Sequence, residues 1–307
     1  MKKITEEDII KLVSENKIFR EEIVVPIGED AGVFFPKQDS NIIITTDTMV
    51  KNTHFDSDIT PYELGYISAA SNISDLSAMG ANPAFALINL TIEDPLDKYI
   101  KELIKGYNDI FKNYSVSVLG GDTTCGPTTI SMTLIGYTKS NNFMLTSNSK
   151  IEDNVFISGS IGDSMIARIN NKYYLPKPRV ELGILLAEYA NSCTDMSDGI
   201  LKSLKTISKK SKVGGMINLE KIKISTDLKK LLNDKKYTWQ DILSFGEDYE
   251  LLFTANDENS KKLMNICEKT NIDIYKIGRL NSNNKIEFSY EKEIVSIDIN
   301  KNFEHFK

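Results

Sequence analysis

Cysteine, histidine and net positive charge are all scarce in this chain, and each scarcity removes a class of function. The three cysteines, Cys125, Cys193 and Cys267, stand far apart with no paired spacing. Zinc sites and disulfide frameworks are therefore not expected, and a reducing cytosol suits the chain. Asp plus Glu exceed Lys plus Arg by 43 to 37, a net charge of −6. No Lys/Arg cluster is interleaved with aromatics that could stack on bases, so no nucleic-acid groove is expected. No apolar run approaches the roughly 20 residues that span a bilayer. The opening MKKITEEDIIKLVSEN carries acids where a signal peptide would carry its apolar core. A cytoplasmic protein with no membrane partner is the expectation. Also lacking are a G-x-x-x-x-G-K-[ST] loop, an H-R-D/D-F-G pair and a G-x-G-x-x-G turn after a strand. Any nucleotide would then be held through metal ions and backbone N–H groups.

What is present is an ordinary globular composition, 41% hydrophobic and 26% charged over 307 residues, enough for about two domains. An amphipathic helix is expected to start near Thr5. Thr60-Pro61 has the form of an N-cap followed by Pro at the first helical position, and Gly80 closes that helix. Its 3.6-residue spacing puts Ser68, Ser71, Asn72, Asp75 and Ala78 on one small, polar face, open to close approach. Residues 84–92 read as a strand. Asp97 is read as the cap of a helix whose stripe is Ile100, Leu103, Ile104, Tyr107, Ile110, Phe111 and Tyr114. SVSVLGGD reads as a strand ending in a turn. The polar stretch 139–154 is the best linker candidate. It separates an N-terminal domain, 1–140, from a C-terminal α/β domain, 150–307.

The chemistry lies in the acids. Ile42, Ile43 and Ile44 predict a buried strand, and Thr45, Thr46 and Asp47 bring oxygen donors to its end. Asp30 lies in PIGEDAGVF, Asp75 on the small helix face, Asp122 in LGGDTTCG, and Asp195 and Asp198 in TDMSDGI. Each adjoins Gly, Ser or Thr. Taken singly, each reads as a turn or cap residue. Taken together they read as ligands of a hard cation, because converging carboxylates need positive charge to stay ionised. Gly120-Gly121 lets backbone approach a phosphate, and Ser197-Asp198-Gly199 opens a helix whose N–H groups favour an anion. The residues alone point to a Mg²⁺-dependent enzyme acting on phosphates.

GEDAGVF, TTDTMVKNTHF, NISDLSAMGANP, GGDTTCGP, PKPRVELG, TDMSDGI, GEDYELLFT and the terminal NFEHF, in this order, resemble the thiamine-monophosphate kinase family. That family belongs to a superfamily with aminoimidazole ribonucleotide synthetase, selenophosphate synthetase and a hydrogenase-maturation protein. The resemblance covers nearly the whole chain. It implies a mixed α/β, two-domain fold: an N-terminal sheet forming a barrel with its twin in a homodimer, and a C-terminal α/β domain completing the cleft for ATP and thiamine monophosphate. It implies Mg²⁺ ligands at Asp30, Thr45, Thr46, Asp47, Asp75, Asp122, Asp195 and Asp198, with Asp47 and Asp122 central to catalysis. Tyr107, Gly121, Asp122 and Ser197 would contact ATP; His54, Glu247 and Phe303 would face thiamine monophosphate. Where the family commonly carries an Arg, this chain has Thr146, so that Arg168, Lys139 or solvent would take over. The alternatives are another ATP-using enzyme of the superfamily and a non-catalytic nucleotide-binding homologue.

Overall fold

A computed structural model describes residues 3–15 and 18–301. The chain folds as two compact units, Met1–Leu76 with Ala81–Asn141, and Ser77–Gly80 with Asn142–Lys307. The first unit contains helices α1 (Glu6–Glu15), α2 (Pro61–Ala78, whose last two residues fall in the second unit) and α3 (Asp97–Tyr114). A two-stranded ribbon, β1 (Ile23–Val25) and β2 (Val33–Phe34), precedes a four-stranded sheet of β3 (Ser40–Val50), β4 (Asn82–Ile92), β5 (Ser117–Cys125) and β6 (Thr129–Lys139). That sheet runs β3-β6-β4-β5.

The helix starts follow local chemistry. Thr60 Oγ1 accepts from the Glu63 N–H while Glu63 accepts from the Thr60 N–H, a reciprocal cap with Pro61 next in line. Thr5 and Asp8 make the same exchange ahead of α1. Asp97 does not cap α3: Leu96 is the N-cap, without a side-chain bond, and Asp97 is the first helical residue. There its carboxylate still complements the helix dipole. The α3 stripe is buried as its spacing requires. Helices α2 and α3 meet backbone to backbone: a Cβ on Gly65 would lie 2.1 Å from the Leu103 carbonyl oxygen, and one on Gly106 2.1 Å from that of Tyr62.

Three strand expectations need correction. Asp47 does not end its strand; β3 continues to Val50, paired antiparallel with β6 from Ser40↔Lys139 to Val50↔Thr129. Thr45 and Asp47 are accommodated because α2 supplies partners for them, and Thr46 because β6 does. GGD is not a turn either. Strand β5 runs straight through it, parallel to β4, because Gly121 at φ 150° lies where any Cβ would strike the Ile88 carbonyl oxygen. Nor is β3 buried on both faces, since Ile42 and Ile44 are 42% and 63% exposed.

The second unit contains a seven-stranded sheet ordered β13-β12-β9-β11-β7-β10-β8. Its strands are β7 (Asn154–Ser158), β8 (Ser192–Asp195), β9 (Gly214–Asn218), β10 (Leu251–Ala255), β11 (Ile274–Asn281), β12 (Ile286–Tyr290) and β13 (Glu293–Val295). The helices are α4 (Asp163–Ile169), α5 (Val180–Tyr189), α6 (Ile200–Ser211), α7 (Thr226–Asn233), α8 (Trp239–Ser244) and α9 (Asp257–Thr270). One apolar cluster gathers Ile157, Leu201, Leu204, Ile217, Leu252 and Phe288. Another centres on Phe156 and Phe253, stacked 5.2 Å apart. Both faces of β7 and β10 are buried, hence the apolar runs at 155–157 and 251–253.

Candidate functional site

The acids of the first unit divide between the two faces of its sheet. Alternation along β3 turns Thr45 and Asp47 toward α2 and leaves Ile44, Thr46 and Thr48 on the exposed side. On the α2 side, Thr45 Oγ1 donates to Asp75 Oδ2 at 2.6 Å, and the Asp47 N–H donates to Asn72 Oδ1 at 3.1 Å. Ser68, Ser71 and Asn72 are 0–3% exposed, so the small helix face is filled by packing. Burial pushes Asp75 up to about 6; the Thr45 bond draws it down and the neighbouring Asp47 charge pushes it up again. This donor set is all oxygen, the set a hard divalent cation selects. Among the described residues no three His, Cys, Asp or Glu side chains gather into a metal-holding group. A cation taking one or two carboxylates and completing its shell with water and phosphate oxygens fits here; one needing a protein-only cage does not.

Asp122 lies elsewhere. The register pairs it with Asn89, an exposed residue beside Leu87, and pairs Leu87 with Thr133. Thr133 in turn donates to Thr46 at 3.0 Å. Asp122 and Thr46 therefore share the exposed face, opposite Asp47. Strands β3 and β5 are also the two edges of the sheet, three strand spacings or about 14 Å apart. Asp30 sits exposed in the bend ahead of β2. Tyr107 is wholly buried against Phe111, with ring centroids 5.5 Å apart. In this arrangement it offers no surface to a nucleotide; helix packing accounts for the ring, while its buried hydroxyl has no hydrogen-bond partner among the described residues. His54 is anchored by its own turn: the Val50 N–H donates to Nδ1 at 3.0 Å, so a neutral ring carries its proton on Nε2.

In the second unit Asp195 closes β8, buried at 8% exposure, and Ser197 and Asp198 follow in the turn to α6. Asp198 pairs with Lys202 one helical turn on. The Glu247 N–H donates to the Ser197 carbonyl at 2.7 Å, which brings these sequence-predicted residues together. Arg168 Nε lies 3.6 Å from Glu247 Oε2, and its guanidinium stacks 4.1 Å over Tyr173. Burial raises the Glu247 carboxyl, and Arg168 draws it back. Thr146 is not part of this group. Its carbonyl accepts from Ser211, and the nearby Asn148 N–H donates to Ser192, at the start of β8. The strand's rise puts that end about 10 Å from Asp195. Phe303 lies outside the described residues.

Two acids of the GEDYE stretch passed unnoticed in the sequence. Glu250, 4% exposed, takes both arms of Arg179 and the Ser158 hydroxyl. Asp248, 7% exposed, accepts from the Gly162 N–H at 2.8 Å and from the Ser164 N–H and hydroxyl at 3.2 and 2.7 Å. Burial pushes Asp248 up to about 7 against those donors.

Models of the AIR synthase related protein match the chain, the N-terminal domain over residues 28–138 and the C-terminal domain over 153–291. The fold is thus that of an AIR synthase related protein. Thiamine-monophosphate kinase of Buchnera aphidicola subsp. Acyrthosiphon pisum is 33% identical over 298 residues, 91% of this chain and 92% of that one. The crystal structure of thiamine-monophosphate kinase from Stenotrophomonas maltophilia K279a matches with a TM-score of 0.84 at 26% identity, covering 95% of this chain and 98% of that one. The structure of AaThiL complexed with AMPPCP and TMP matches with a TM-score of 0.75 at 25% identity, covering 98% and 96%. The chain belongs to the thiamine-monophosphate kinase family.

Proposed function

We propose that this protein phosphorylates thiamine monophosphate to thiamine diphosphate with ATP as co-substrate. The observation that carries the reading is the 33% identity to a thiamine-monophosphate kinase over 91% of this chain, spanning both units. A fold neighbour complexed with AMPPCP and TMP supports the same pair of substrates. In the reaction an oxygen of the substrate phosphate attacks the γ-phosphorus of ATP. The bond to the β–γ bridging oxygen breaks, and ADP leaves. The attacking oxygen is already ionised at neutral pH, so no general base is required. Positioning and charge neutralisation carry the catalysis.

Mg²⁺ is the cation this reading requires, and it would neutralise charge on the transferring phosphoryl group. Asp47 and Asp75 would hold it on the α2 side, with Asp30, Thr45, Thr46, Asp122, Asp195 and Asp198 as the remaining candidates. Gly121, Asp122 and Ser197 are assigned to ATP. His54 Nε2–H is assigned to the substrate phosphate, and Glu247 to its cationic ring system. The first unit is assigned metal binding and dimerisation, and a cytosolic setting suits three free cysteines.

A homodimer fits the exposed sheet face, where Ile42, Ile44 and Leu87 are 42%, 63% and 38% exposed. Asp122 lies on that face and Asp47 on the other, so a single chain in this arrangement does not bring the two acids together. The functional reading is tested by ATP-dependent formation of thiamine diphosphate from the monophosphate. Turnover of free thiamine but not the monophosphate would overturn it.

A further inference from the structure

The stretch Gly246–Glu250 is held in an unusual path. Glu247 and Tyr249 both sit in the left-handed region, at φ 67° and 52°, a conformation that costs a non-glycine residue free energy and persists only where surroundings enforce it. On one side the enforcement comes from the chain after β8. The Glu247 N–H donates to the Ser197 carbonyl, the Tyr249 N–H to that of Met196, and the Met196 N–H to that of Glu250. A Cβ on Gly246 would come within 2.1 Å of the Ser197 carbonyl oxygen.

On the other side the enforcement comes from the first turn of α4. The Ser164 hydroxyl lies 2.7 Å from both the Gly246 carbonyl and Asp248 Oδ1. It can donate to only one at a time, but it holds the residues on either side of Glu247. The Gly162 and Ser164 N–H groups close on the same carboxylate. Four residues after Ser164, one turn along α4, stands Arg168, the residue that reaches Glu247 and stacks on Tyr173. Both ends of the Arg168–Glu247 pair are therefore fixed through one buried contact.

We infer that Asp248 and Ser164 form a positioning clamp that sets the Glu247–Arg168 pair for substrate. Neither clamp residue touches substrate. The inference rests on the assignment of Glu247 to thiamine monophosphate made above. A half-buried ion pair at 3.6 Å alone would hold Glu247 weakly, whereas a buried, hydrogen-bonded anchor fixes the backbone beneath it.

The test is a double-mutant cycle in steady-state kinetics on the full chain, with S164A, E247A and S164A/E247A beside wild type. Ser164 is fully buried and small, so Ala should fit. The expected result is a KM for thiamine monophosphate raised about tenfold by S164A, the scale of one lost hydrogen bond. The KM for ATP and kcat should stay within about twofold, and S164A should add nothing on the E247A background. Equal effects of S164A on both backgrounds, or a lowered Tm with unchanged kinetics, would overturn the inference. D248N, which sets an amide N–H against N–H donors, should repeat the split more strongly; a D248N with wild-type KM would also overturn it. Wild-type turnover is measured first. Its absence overturns the functional reading and the clamp together, whereas turnover with an unmoved S164A sinks the clamp alone.

Discussion

Asp47 and Asp122 stand on opposite faces and opposite edges of the same four-stranded sheet, and the consequence can be measured by mixing two inactive proteins. D47N and D122N should each lose about 100-fold or more in turnover, as expected when charge-positioning groups are lost in phosphoryl transfer. Suppose each centre takes Asp47 from one protomer and Asp122 from the other. A mixed dimer then has one doubly damaged centre and one intact centre. Equal amounts of the two variants, unfolded and refolded together, give half mixed dimers. Half of the centres in those are intact, so recovered activity should reach about 25% of wild type for a two-fold dimer. If both acids act from the same chain, every centre in the mixed dimer carries one lesion and activity stays near the level of the parents. The assay is thiamine diphosphate formation on the refolded mixture, with each variant refolded alone as control. Recovery no greater than those controls, with dimers confirmed by mass, would refute the two-chain centre.

The remaining predictions address stability and substrate. Asp75 titrates near 6 when folded and near 3.8 when unfolded; the folded state binds more protons between those values, so metal-free stability falls as pH rises through that window. Metal-free D75N should accordingly melt higher than wild type at pH 7 while losing activity; an unchanged or lower Tm would contradict the burial argument. H54A should raise the KM for thiamine monophosphate about tenfold while sparing that for ATP. It should also cost about 1 kcal/mol in chemical denaturation, because the Val50 N–H loses its acceptor. R179A strands the buried Glu250 carboxylate and should cost about 3–5 kcal/mol by urea denaturation; a loss under 1 kcal/mol would mean the site relaxes.

Helix starts were legible because their determinants are adjacent in sequence: Thr60 and Glu63 lie one turn apart, as do Thr5 and Asp8. The α3 stripe was legible for the same reason. Strand ends were not. Thr45, Thr46 and Asp47 look like the end of a buried strand, yet Thr45 and Asp47 find their partners in Asp75 and Asn72, on a helix 25 to 30 residues later, and Thr46 finds its own on β6. The family resemblance assigns Tyr107 to the nucleotide, whereas its place in the apolar stripe of α3 agrees with its burial. The clamp residues were invisible for the same physical reason. Asp248 meets Ser164 across 84 residues and Glu250 meets Arg179 across 71, so nothing local marks either acid as buried. The division of the acids between two faces follows from register, which single-strand alternation alone does not fix.

The central claim is the reaction itself. Purified protein incubated with ATP and Mg²⁺ should convert thiamine monophosphate to thiamine diphosphate with one ADP formed per product, should leave free thiamine unphosphorylated, and should stop in EDTA. ATP turnover that ignores thiamine monophosphate, or undiminished product formation in EDTA, would contradict the account.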